Sequence, residues 1–152
     1  MKKKIFGIDF IDPKISINWD LKERELITLL KCEKVDSHIY FFEAKLYPVN
    51  IEVMVYVTFH DLGFKMEILV NQTKHEKDLN SNSVYIELNN TNALRDYVKD
   101  KFGSPRLLSH LFSKLNKPFY IYRYKINNIK VSHTFQDSVG GFYERLKFDV
   151  KY

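Results

Sequence analysis

The sequence is poor in the residues that announce chemistry. It has one cysteine, Cys32, which excludes an intramolecular disulfide and any C-x-x-C metal or redox motif. Placed on a helix-like run beside Lys31 and Lys34, it reads as a bland helical thiol. The five glycines form neither G-x-G-x-x-G nor G-x-x-x-x-G-K-[ST], so no phosphate loop or dinucleotide fingerprint is present. Histidines 38, 60, 75, 110 and 133 have neither H-x-x-x-H nor H-E-x-x-H spacing. Asp9, Asp12 and Asp20 are too dispersed for a calcium loop. No metal, cofactor or catalytic group is therefore expected. Long apolar runs are missing too: "MKKKIFGIDFIDPK" is cut by Asp9 and Asp12, which leaves no signal-peptide core and no membrane span. The expected location is the cytoplasm, and no membrane partner is expected.

What is abundant is aromatic: 12 Phe and 10 Tyr in 152 residues, within 45% hydrophobic and 28% charged. Aromatic and β-branched side chains suit pleated, half-buried surfaces, which points to a sheet-rich core. The length fits one domain, 1–152. The net charge of +5 is unevenly spread. Residues 1–76 hold 11 Lys and Arg against 12 Asp and Glu, and residues 77–152 hold 13 against 7. A basic second half suggests an anionic partner.

Two stretches echo each other, "VYVTFHDLGF" at Val55–Phe64 and "VSHTFQDSVGGF" at Val131–Phe142. Both read V-x-x-T-F-x-D, then a glycine-containing loop, then Phe. A helix-like run precedes each. The first is Asp20–Lys31, with Asp20 as N-cap and Leu21, Glu25 and Leu29 on one face. The second begins at Thr91 or Asn92, carries Leu94, Tyr97 and Val98 on one face, and stops at Gly103 and Pro105. "RLLSHLFSKL" adds a further helical turn or two. Three strand-like runs follow each helix: His38–Leu46, Ile51–Phe59 and Phe64–Val70, then Phe119–Ile126, Ile129–Phe135 and Phe142–Val150. The loops agree, with Asn127-Asn128, Asp61/Gly63 and Gly140-Gly141 as turn formers. The expected fold is α+β, a pseudo-repeat of two αβββ-like halves (about 1–70 and 84–152). Each half is an antiparallel meander packed on its helix. Residues 71–83 form a polar linker, and Val84–Leu88 is a further strand in the connection.

Alternation along strands sorts these residues into rows. Setting Phe59 opposite Phe64 gives Val57–Met66, Val55–Ile68 and Val53–Val70, flanked by Tyr40 and Phe42: an apolar core face. The matching register in the second half, Phe135 opposite Phe142, gives the row Tyr122–His133–Glu144 where the first half has Tyr40–Val57–Met66. Two readings compete. One is a satisfied polar pair at the edge of the core, the other a ligand or general-base site facing a cleft. The row is read as covered by the second helix.

The opposite face of the second half carries the rows Lys125–Lys130–Lys147, Arg123–Ser132–Arg145 and Ile121–Thr134–Tyr143. It is either a solvated basic surface or a platform for an anion, with Tyr143 available for stacking. In the first half the corresponding face holds Phe41, Met54, Tyr56 and Leu69, a candidate interface unless residues 1–19 fold across it. The functional expectation is a non-catalytic binding protein acting through protein–protein contact, of the bacterial immunity or antitoxin type. Its partner is an acidic protein or a second copy. The alternative is a small-ligand or nucleic-acid module using the basic face. Ribonucleoprotein aromatics, a helix-turn-helix and a metal finger are all absent, so sequence-specific base reading is not supported. A hydrolase using His133 ranks last.

Overall fold

The computed structural model of the chain describes residues 7–30, 33–70, 94–106, 119–138 and 141–152. The expected linker, the strand at 84–88, the cap at 91 or 92, the turns over 107–115 and Cys32 lie outside those residues. In chain order the elements are β1 (Gly7–Asp12), β2 (Ile15–Asn18), α1 (Glu23–Leu29), β3 (Glu33–Asp36), β4 (Ile39–Leu46), β5 (Ile51–His60) and β6 (Gly63–Val70). Helix α2 spans 94–102. After it come β7 (Phe119–Ile126), β8 (Ile129–Ser138) and β9 (Gly141–Lys151).

The antiparallel α+β expectation holds, but the strands do not form separate sheets. All nine belong to one, in the order β2-β1-β4-β5-β6-β9-β8-β7, with β3 also pairing β4. The joint is β6 against β9, antiparallel, with Phe64 opposite Val150, Met66 opposite Phe148 and Ile68 opposite Leu146. Each meander alone would leave a long apolar strand as an open edge, and pairing the two edges removes both. The sheet curls into a half-barrel.

Its inward side chains form one core with Leu21, Leu26 and Leu30 around α1 and Leu94, Tyr97 and Val98 of α2. Trp19 and Phe102 pack on Phe148, with ring centroids 5.5 and 5.8 Å away. Residues 7–18 do not lie across the outer face of the first half. They form the β1–β2 hairpin and lengthen the sheet beside β4, where Phe10 faces Leu46 and meets Phe42 edge-on. The alternation in "GIDF" and "ISIN" is strand alternation, and it sends Ile8, Phe10 and Ile17 into the core.

Helix α2 buries the residues expected of it and stops at Gly103, which has φ +81° and donates its N–H to the Lys99 carbonyl. Helix α1 differs from expectation. The Leu21 N–H closes a turn to the Asn18 carbonyl, and Lys22 rather than Asp20 takes the cap position. The helix starts two residues later, with the Lys22 N–H donating to the Glu25 carboxylate at 2.8 Å. The later start turns Leu26 to the core and leaves Leu29 exposed.

Gly63 sits at the end of the β6–β9 seam with φ +152°, and a Cβ there would stand 1.9 Å from the Val150 carbonyl oxygen. A Cβ at Gly103 would meet nothing within 4 Å. Gly63→Ala is therefore expected to lower the urea midpoint strongly. Gly103→Ala should cost only the left-handed backbone penalty of about 1–2 kcal/mol. Equal losses in the two variants would refute the close approach of β9 to β6.

Candidate functional site: a buried polar row and a two-part outer face

The first meander has the expected register throughout, from Val53 opposite Val70 to Phe59 opposite Phe64. The β7–β8 hairpin also agrees: Tyr122 faces His133, Tyr124 faces Val131, and Asn127 takes the left-handed turn position at φ 51°. The β8–β9 hairpin does not. Its strands run on to Ser138 opposite Gly141, past the expected ends at Phe135 and Phe142. The slide of two residues puts Leu146 opposite His133 and Phe135 opposite Glu144. Because side chains alternate with period two, every inward residue stays inward.

His133 and Glu144 are thus diagonal neighbours, yet they meet: His133 Nε2 lies 2.6 Å from Glu144 Oε1. Both are closed to solvent, at 2% and 4% exposure. The Tyr122 ring packs on the His133 ring at 6.2 Å, and its hydroxyl accepts a hydrogen bond from Arg95 Nη2 of α2 at 2.9 Å. Burial pushes the Glu144 carboxyl above the ordinary range. The hydrogen bond and charge of His133 and the charge of Arg95 oppose that rise without cancelling it. His133 Nδ1 is buried without a hydrogen-bond partner. The arrangement can hold and exchange one proton between Nε2 and Oε1, and both residues are closed to solvent.

The outer face of β7–β9 carries Arg123, Lys125, Lys130, Arg145 and Lys147, but in slid rows. Lys130 faces Asp149, Ser132 faces Lys147, and Thr134 faces Arg145. Across the seam Lys147 Nζ and Arg145 Nη1 reach the Glu67 carboxylate at 2.9 and 3.3 Å. Burial works to raise Glu67, but the hydrogen bond and charge of Lys147 and the charge of Arg145 outweigh it, and the carboxyl titrates below the ordinary range. Opposite charges thus interleave across β8, β9 and β6, while Lys125 still faces Lys130 across β7 and β8. Arg106, Arg123, Lys125, Lys130 and Lys147 line a groove of about 370 Å³ together with Asp149. Tyr143 pairs with Gln136 along the backbone; its side chain lies outside what is described.

On the first half Phe41, Met54, Tyr56 and Leu69 are half-buried on the outer face, with Phe41 and Tyr56 in ring contact at 5.0 Å. Leu69 lies opposite Arg145, so this strip runs directly into the basic patch. Sequence reasoning missed Arg95, Arg106 and Glu67. Arg95 and Lys99 share a helix face by spacing, but nothing local places that helix over β7. Among the described residues no three His, Cys, Asp or Glu side chains converge as a metal site, and no helix is long and apolar enough to cross a membrane.

Removing one partner of a buried pair leaves an uncompensated group, whereas replacing both with apolar side chains removes the desolvation cost. His133→Val alone should cost about 3–5 kcal/mol, and His133→Val with Glu144→Met should restore or exceed the original stability in urea unfolding. Failure of the double variant to recover would show that the pair stabilises the fold outright. A carboxyl raised in the folded state holds its proton more tightly there than in the unfolded chain, so its contribution falls as pH rises from 4.5 through the folded value. Relative to Glu144→Gln, the native protein should therefore lose urea stability as pH rises above about 4.5. A flat difference, or one that grows with pH, would contradict it.

Compared with known proteins, the chain matches no family model, no curated sequence and no solved structure.

Proposed function

We propose that the chain is a non-catalytic binding protein that engages an acidic protein partner through the outer face of its sheet. The observation that supports this is the β6–β9 joint, which makes the apolar strip of Phe41, Met54, Tyr56 and Leu69 continuous with the cations of β7–β9. Protein interfaces have an apolar centre and a polar rim, and this face offers both on one rigid sheet. Working by occupancy is the mode of a bacterial immunity protein or antitoxin, and the cytoplasm is its proposed place.

A second reading is favoured by the groove lined by five cations: a nucleic-acid backbone would satisfy the same charges. Affinity purification separates the two. The acidic-protein reading expects one stoichiometric acidic protein, retained after nuclease treatment. Its affinity should fall at least about thirtyfold with Tyr56→Asp, and again with Arg123→Glu and Lys125→Glu, as expected of interface anchors worth about 2 kcal/mol. A salt-steep gel shift with nonspecific nucleic acid and no protein partner would overturn it. Sedimentation that moves to dimer and is lost with Tyr56→Asp would assign the strip to a second copy.

We further infer that the halves are diverged copies of one unit. Each places a tyrosine of its first meander strand under a charged residue of its helix, Tyr40 on Glu23 at 2.7 Å and Tyr122 on Arg95 at 2.9 Å. The third strands of the two meanders pair with each other. An experimental structure in which residues 23–70 and 95–151 fail to superpose in helix placement and strand order would sink this inference.

A further inference from the structure

On the concave side of β7, helix α2 lies over the edge of the sheet and leaves a cleft of about 650 Å³. Its floor is Tyr122 and Tyr124, both buried, and its rim is Arg95, Lys99 and Asp96 of α2 with the turn at 104–105. The size is that of a small-molecule site.

Three features give it a chemistry. Arg95 and Lys99 stand one helical turn apart, so both cations reach the same opening against a single carboxylate, Asp96. Arg95 is also held in place: its Nη2 donates to the Tyr122 hydroxyl at 2.9 Å, and its guanidinium carbon stands 5.5 Å from the centre of that ring. That bond uses one of five donors in a rigid fork, which leaves a pre-oriented group suited to a carboxylate or phosphate. Finally, Tyr124 lines both this cleft and the groove on the outer side of β7, where five more cations stand with Asp149, Lys147 among them also paired with Glu67. Their field extends around the sheet edge and favours anions at the cleft mouth.

We propose that this cleft is a binding site for a small anion with a flat apolar body, an aromatic carboxylate or an aryl phosphate. The anionic head engages Arg95 and Lys99, and the ring lies against Tyr122 and Tyr124. The site is separate from the outer face and does not depend on the partner that face binds. The His133 ring stands beside the floor on the neighbouring strand, 6.2 Å from Tyr122, so its imidazole signals report on occupancy.

The test is an NMR titration of the full chain with benzoate and phenyl phosphate, with inorganic phosphate as a head without a ring and benzyl alcohol as a ring without a head. Saturable shifts are expected at residues 95–99 and 122–124 and at the His133 imidazole. Both controls should bind at least tenfold more weakly. Arg95→Gln should weaken phenyl phosphate at least tenfold, and Tyr56→Asp on the outer face should leave it unchanged. Lys99 is exposed, so Lys99→Gln carries the same test without disturbing the Tyr122 contact. The proposal is overturned by shifts that do not saturate, by shifts confined to the outer face, or by inorganic phosphate binding as well as phenyl phosphate. Unchanged affinity in Lys99→Gln together with Arg95→Gln would overturn it as well.

Discussion

The antiparallel contact between β6 and β9 joins strands that lie about 80 positions apart in the chain, and the rest of the architecture hangs on it. Its inward residues, Phe64, Met66, Ile68, Leu146, Phe148 and Val150, are among the driest of the described residues, each at 0 or 1% exposure. Fully burying side chains of this size is worth about 1.5–3 kcal/mol apiece, so the seam is also where much of the burial energy lies. Without it there would be two three-stranded meanders, each with an apolar edge open to water. With it there is one surface inside and one outside. The helices then have a single concavity to fill, and Phe148, on the seam strand, is where Trp19 and Phe102 both come to rest. The same contact makes one outer face from two patches that look unrelated along the sequence.

The alternation of side chains made most of this sheet legible. Period-two patterning located six strands, gave the register of the first meander from Phe59 and Phe64, and identified Tyr122, His133 and Glu144 as inward. The slide of two residues in the β8–β9 hairpin was illegible for the same reason. Both registers present identical faces, and only the loop closure tells them apart. The partner of β6 was illegible because local patterning marks a strand as buried without naming its neighbour. The "GIDF" and "ISIN" segments carried the correct alternation but were read as a cover, since the edge of β4 that receives them is a tertiary fact. Helix α1 was misphased because a turn at Asn18–Leu21 delays the helix until Lys22 takes the cap position, two residues past Asp20.

His133 and Glu144 show how a polar pair survives within an otherwise apolar wall. Each ion alone would be expensive to bury, and together they need only one proton and one short bond. The diagonal placement matters here. Direct opposition would have set His133 across from Glu144 with their neighbours on either side fully apolar. The slide instead puts Leu146 across from His133 and brings the carboxylate toward Arg95, whose charge favours the ionised form. Burial still dominates, so the pair remains a cost that the surrounding core supports.

Tyr40 and Tyr122 carry the comparison to its last step. Both sit on the inner face next to the covering helix, and both hydroxyls meet a charged side chain on that helix, but the charges are opposite. Glu23 accepts from Tyr40 and also contacts His38 at 3.2 Å, which satisfies the carboxylate at the mouth of the first half. The Tyr40 hydrogen bond, more than the His38 contact, holds Glu23 below the ordinary carboxyl range against a smaller effect of burial. Arg95 has five donors and gives one to Tyr122, so the same device leaves capacity unspent at the mouth of the second half. A tyrosine bonded to a carboxylate closes its end of the sheet, whereas a tyrosine bonded to a guanidinium orients a cation toward an open cleft. The charge asymmetry of the two halves is therefore more than a matter of the outer surface: on the concave side an acid, Glu23, meets the tyrosine of the first half and a base, Arg95, that of the second.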